Sequence, residues 1–245
     1  MKVKATQALI LFSSLLLVVI LVYISRTQFT DIPLLDTCVL LTTTVSVNTT
    51  DYLNEYNTPK ARLKQYIDSI NRWLKNTDLD IYIVESSNYD FPEYKNNPRV
   101  KVYTFKSEND INCKHCSATP YEAESILRAF NHFGLKVYDK IIKVTGKYFI
   151  PDMKKLINNI PPDSDLYFQN THNYSKKLQN SEIFGCRTKY LPKIMNLIKS
   201  NSMLNMNFEN TLYSLIGKYK IYRFPPIKLD VPVTRSGDNK TMEWL

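Results

Sequence analysis

Residues 8–24 read ALILFSSLLLVVILVYI, an apolar run interrupted only by Ser13 and Ser14. As a helix rising 1.5 Å per residue, it spans roughly 26 Å, close to the thickness of a bilayer hydrocarbon core. Tyr23 falls where an aromatic anchor meets the interface. A cleaved secretory signal is the rival reading. However, no small-x-small cleavage site follows the run, which ends in Tyr-Ile-Ser-Arg. The run therefore predicts a signal anchor over residues 8–25, behind a cytoplasmic head of residues 1–7. Lys2 and Lys4 precede it and a lone Arg26 follows. This charge bias predicts a type II orientation, single-pass, with the body lumenal or extracytoplasmic and the lipid bilayer as its first partner.

Beyond the anchor lie a stem, residues 26–36, and a body of residues 37–245, long enough to bury a proper core. The chain is 44% hydrophobic and 22% charged, a balance that excludes disorder over most of its length. Its formal charge of +9 favours anionic partners: nucleic acid, an acidic membrane surface or a phosphorylated small molecule. An extracytoplasmic body argues against the first. The lysines are also dispersed, and no nucleic-acid-binding module is present, so no nucleic-acid partner is expected. Three sequons, at Asn48, Asn173 and Asn239, are glycosylation candidates in such a compartment. Four cysteines, Cys38, Cys113, Cys116 and Cys186, permit two disulfides there, in any of three pairings.

Residues 37–45 carry no charge and are rich in β-branched side chains, as expected of a strand buried on both faces. Thr58-Pro59 opens a helix, and Leu63, Tyr66, Ile67, Ile70, Trp73 and Leu74 recur at helical spacing. Further strands are expected at 79–84, 100–105 and 140–150, with shorter ones at 165–169 and 182–185. Thr119-Pro-Tyr-Glu122 has the pattern of a capping box opening a helix. More helices are expected at 153–160, 189–200 and 207–218. This alternation predicts an α/β fold: a sheet flanked by helices on both faces.

Ligands of open α/β sheets bind beyond the carboxyl ends of the strands. Those ends carry Thr43 and Thr44, then Glu85 and Ser86, then Lys143, Thr145, Gly146 and Lys147. The set suits ribose and base on the hydroxyls and carboxylate, and a diphosphate on the basic segment. Period two in the strand at 140–150 puts Lys143, Thr145 and Lys147 on one face. Two amines there require a cleft or an anion. An edge strand whose lysines merely block aggregation fits the same pattern.

Residues 121–129 (YEAESILRA) and 139–149 (DKIIKVTGKYF) resemble a group of viral and bacterial surface-polysaccharide glycosyltransferase-like proteins, in which a Glu opens a helix ahead of an IKxTG(K/R)Y strand. Asn180-Ser-Glu-Ile-Phe-Gly185 and Phe208-Glu-Asn-Thr-Leu-Tyr213 extend the resemblance. It implies a GT-A-like, Rossmann-like mixed sheet, preceded here by one transmembrane helix. It further implies a nucleotide-sugar donor as co-substrate and a glycan or glycoconjugate acceptor. Metal-dependent enzymes of that fold place Asp-x-Asp after the central strand, where this chain has Thr145-Gly146-Lys147. Lys147, with Lys143, is expected to neutralise the diphosphate instead, with no divalent metal. Asp78-Leu-Asp80 and Asp163-Ser-Asp165 precede strands and do not replace that motif.

Transfer with inversion needs a base for the acceptor hydroxyl. Glu209 is the first candidate, although a Glu in a first helical turn also serves the helix dipole. Glu182 is the second, and Glu122 is either a further site residue or part of the cap. Cys113-Lys-His-Cys116 is preceded by polar residues rather than a buried strand, unlike a thiol–disulfide exchange site. One such pair with His115 and His132 lacks the second pair that a zinc site needs. No G-x-S-x-G occurs and histidines number three, so serine or histidine catalysis has no support. A catalytically silent membrane protein of viral surface or structural type, with a borrowed fold, shares every one of these features except a working site.

Overall fold

The structure, a computed structural model, describes residues 35–47, 58–107, 118–170, 172–173, 175–234 and 241–245. The expected head, anchor and all but the last residues of the stem lie outside them, as do Asn48, Asn239, Cys113 and Cys116. Among the described residues, no helix is long and apolar enough to cross a membrane. Asp36–Leu245 form one compact unit, which carries the sheet, its helices and the polar edge.

Seven strands form its central sheet: β1 (Leu35–Thr43), β2 (Ile81–Glu85), β3 (Val100–Thr104), β4 (Tyr138–Thr145), β5 (Leu166–Phe168), β8 (Ile183–Arg187) and β9 (Ile221–Arg223). Their order is β3-β2-β1-β4-β8-β5-β9. β1, β2 and β3 pair in parallel, as do β5 and β9, whereas β8 runs antiparallel to both β4 and β5. Among the described residues two further antiparallel pairs lie outside this sheet: β6 (His172–Asn173) with β7 (Leu178–Gln179), and β10 (Lys228–Thr234) with β11 (Thr241–Trp244). The fold is thus mixed α/β with a mostly parallel central sheet, as expected.

Both faces of the sheet are covered, which explains its near-continuous apolar strands. β2 reads Ile-Tyr-Ile-Val-Glu and is buried throughout. Val39 and Leu41 point to one core with Ile83, Ile142 and Val144, closed by Tyr66, Ile70 and Trp73 of α1 (Pro59–Asn76) and by α3 (Met153–Asn158). Cys38 and Leu40 point to the other with Tyr82 and Phe184, beneath α2 (Thr119–His132), α4 (Leu191–Ser202) and α5 (Phe208–Ser214). Trp73 shows how tightly the first core is tied. Its ring meets Phe149 edge-on at 5.2 Å, while Nε1 donates to the Tyr148 carbonyl at 3.0 Å.

Three local expectations are corrected. β4 ends at Thr145 and the chain turns at Gly146 and Lys147, so the alternation does not carry Lys147 along a strand. Thr119 does not form a capping box: Ala118 occupies the N-cap without a side-chain bond, and Thr119 Oγ1 accepts from Phe208 N at 3.1 Å. Cys38 and Cys186 are free, buried thiols. They lie on β1 and β8 with β4 between them. Two strand spacings separate their backbones by about 9–10 Å, beyond the reach of a disulfide.

Candidate functional site

The chain reverses its direction of travel across the sheet between β3 and β4, so β1 and β4 flank the switch point of the order. Their last residues are tied together, Gly146 N donating to Thr42 O at 2.8 Å. Because β8 is antiparallel, its start joins the same edge, where Thr145 N donates to Glu182 O at 2.9 Å. α2 and α5 also begin here, linked by the Thr119–Phe208 bond. Five elements therefore converge on one edge, which is where a ligand of an open α/β sheet is expected.

Lys143 is the hub of that edge. It is 1% exposed, and its ammonium lies 2.6 Å from Glu122 Oε1, 2.9 Å from the Ser181 carbonyl and 3.1 Å from Thr145 Oγ1. Three partners match three N–H donors, the condition under which a buried ammonium is tolerated. The Phe208 ring adds a face 5.7 Å away. Where the sequence suggested a diphosphate contact, Lys143 instead has three partners inside the protein.

Glu122 reaches the hub from the first turn of α2. Its Oε1 also accepts from Thr42 Oγ1 at 3.3 Å, and its side chain remains 28% exposed. Ser181 passes the hub onward: its carbonyl holds Lys143, and its hydroxyl donates to Glu209 Oε1 at 2.6 Å. Asn207 caps α5 by accepting from Asn210 N, which fixes the turn that carries Glu209. Of the two expected bases, Glu209 is partly exposed and Glu182 is buried at 6% exposure. Of the two, Glu209 is the more exposed.

At the end of β2, Glu85 is fully buried. Its oxygens accept from Val45 N, Ser87 N and Tyr89 N, each at 2.8 Å, from Ser87 Oγ at 2.5 Å and from Thr104 Oγ1 at 3.4 Å. It thus ties together the loops that follow β1 and β2, leaving neither oxygen for a base or ribose. The hydroxyls beside it lie nearer the surface. Thr44 Oγ1 and Ser86 Oγ stand 2.6 Å apart and half-buried, whereas Thr43 is buried with its hydroxyl on Val84 O.

Gly146 approaches a backbone closely, but that backbone is β1. A Cβ there would press on Thr43 Cγ2 and lie 2.9 Å from Thr42 O and 3.3 Å from the Tyr66 ring. One residue on, Lys147 is half-buried with Nζ 5.6 Å from the Tyr148 ring. A second cation, Arg62 of α1, was not anticipated from the sequence. Its Nε donates to Thr44 O at 2.6 Å and a terminal nitrogen donates to Tyr66 Oη at 2.8 Å. Burial raises the Tyr66 hydroxyl above its ordinary value, so it stays a proton donor to Thr44 O. The Arg62/Tyr66 spacing of four at the start of a helix following a strand was the available signal. Ser181 gave none beyond its place in the resembling segment.

Among the described residues, no three His, Cys, Asp or Glu side chains gather as metal ligands. A groove of about 810 Å³ between the end of α1, α3 and Asp230 includes no residue of the hub. The segments 48–57 and 108–117, which follow β1 and precede α2, lie outside the described residues. Asn173 lies on β6, away from the central sheet's pairing.

No protein-family model matches the chain, nor does any curated protein. Solved structures similar to it include a protein of Desulfovibrio desulfuricans G20 described as a nucleotide-diphospho-sugar transferase. That pair shares 14% identity over 78% of this chain and 80% of the other, with a TM-score of 0.48. A glycosyltransferase involved in glycosylation of the major capsid of PBCV-1 shares 10% identity over 76% and 81%, with a TM-score of 0.47. The glycosyltransferase GlyE of Streptococcus pneumoniae TIGR4 shares 12% over 78% of this chain but 45% of its own, with a TM-score of 0.49.

Proposed function

We propose that this chain is a membrane-anchored glycosyltransferase that moves a sugar from a nucleotide-sugar donor to a hydroxyl of a glycan or glycoconjugate. One observation carries the reading: the switch point between β1 and β4 gathers hydroxyls, a partly exposed cation and a partly exposed carboxylate on one edge. The hydroxyl pair Thr44–Ser86 suits the nucleoside. Lys147, just beyond β4, suits the diphosphate. Glu209, held by Ser181, suits the acceptor. In this reading Glu209 takes the acceptor's proton as the acceptor oxygen bonds to the anomeric carbon. The bond from that carbon to the phosphate oxygen breaks, and its electron pair leaves with the nucleoside diphosphate, whose charge Lys147 offsets. The apolar run at 8–24 supplies the anchor.

The test uses the full chain in detergent micelles, after confirming that it resists alkaline extraction from membranes. Thermal-shift screening against UDP-, GDP- and dTDP-sugars is expected to find a donor that raises Tm in the wild type and not in Lys147→Ala. With that donor, Glu209→Gln is expected to retain the Tm rise while turnover falls by roughly 10²–10⁴. Stabilisation by no donor would favour a silent protein with a borrowed fold.

A further inference from the structure

Lys143 is buried and Glu122 only partly so, and removing either partner would leave the other charge uncompensated. All three donors of Lys143 are engaged within the protein, so the pair offers an anion nothing on the lysine side. On the other side it offers a carboxylate. Oε1 of Glu122 is taken by Lys143 and Thr42. Among the described residues no donor reaches Oε2, and the side chain is 28% exposed. The side chain is therefore fixed through Oε1, and Oε2 is the oxygen left to a ligand.

Its location names the part of the donor it would meet. Glu122 shares Lys143 with Ser181, whose hydroxyl holds Glu209, so two hydrogen-bonded residues separate it from the proposed base. The nucleoside hydroxyls at Thr44 and Ser86 lie on the other side of β1, towards β2. With the nucleoside on those hydroxyls and the acceptor at Glu209, as proposed above, the transferred ring would lie on the Glu122 side of the edge. There a carboxylate oxygen accepts from ring hydroxyls and repels another carboxylate.

We infer that Glu122, positioned by Lys143, is a sugar-binding residue that restricts the donor to uncharged, hydroxyl-bearing sugars and rejects uronate or sialate donors. This rests on the proposed donor binding at the same edge. Matched pairs test it without any substitution: UDP-glucose against UDP-glucuronate, and GDP-mannose against GDP-mannuronate, with Kd read by calorimetry on the full chain. The neutral member of at least one pair is expected to bind about tenfold or more tightly than its uronate. Equal or tighter binding of the uronates would overturn the inference while leaving the donor-binding reading intact. Binding of no member of either pair, together with stabilisation by no donor in the thermal-shift screen, would overturn both.

A second arm removes both charges at once, because Glu122→Gln alone would leave Lys143 buried without its counter-ion. In Glu122→Gln/Lys143→Met, the ratio of uronate to neutral Kd is expected to fall to within about twofold of one, and neutral-donor affinity to weaken about tenfold. An unchanged ratio in a variant with native circular dichroism would assign the discrimination elsewhere.

Discussion

Lys143 and Glu85 show how one charged residue can be read two ways. Each sits at the end of a strand, where a ligand-binding role is the natural expectation, and each is consumed by the protein itself. Glu85 receives three backbone N–H groups and two hydroxyls. Lys143 gives its donors to Glu122, Ser181 and Thr145. The number of hydrogen-bonding partners, which no spacing in the chain reveals, decides between ligand contact and scaffold. Cys38 and Cys186 behave alike in this respect. Burial drives both thiols far above their ordinary range, so neither forms thiolate at neutral pH. Iodoacetamide at pH 8 is expected to leave both unmodified in the native protein and to label both in urea, as read by peptide mass spectrometry. Labelling of the native thiols would contradict their burial.

At the scale of elements, most strands and helices were legible because each has a period and a boundary residue. α1 begins at the expected Thr58-Pro59, and Thr58 Oγ1 accepts from Ala61 N as an N-cap should. β1 and β2 appear where the β-branched apolar runs placed them. The errors lie where long-range contacts override local pattern. Thr119 would cap α2 if α5 did not claim its hydroxyl through Phe208 N. β4 would continue past Thr145 if Gly146 were not drawn onto Thr42. That close approach makes a prediction: Gly146→Ala forces β1 and β4 apart where the site is built. It is expected to destabilise the fold by about 1–3 kcal/mol in urea denaturation, in the range of core overpacking. A change below about 0.5 kcal/mol would mean that the two strand ends are not locked together.

For the whole molecule, surface electrostatics set the acid limit. The hydrogen bond from Lys140 holds the Asp36 carboxyl below its ordinary value. Burial pushes Glu124 up, but hydrogen bonds from Lys199 and Arg128 outweigh it and hold this carboxyl low as well. Lys154 and Lys220 do the same for Asp78 and Asp163 at exposed sites, where solvent screens the effect. Carboxyls depressed on folding contribute stability that is complete above the unfolded value near 4. It is lost as pH falls through the lower folded values. Tm of the full chain is therefore expected to change little between pH 7 and about 5 and to fall below about 4, as read by calorimetry. A fall centred at pH 6 would implicate other groups.

The amino-acid sequence by itself determined the alternation of strands and helices, the burial of the sheet on both faces and the edge on which polar residues collect. These follow from local periodicity and from backbone limits at Pro and Gly. Tertiary structure alone decided which of those polar residues face one another. Glu122, Lys143, Ser181 and Glu209 come from four separate segments, and only the β1–β4 switch and the antiparallel β8 bring them within hydrogen-bonding distance. A short-range polar contact is won or lost over an ångström, a resolution that pattern along a chain does not carry.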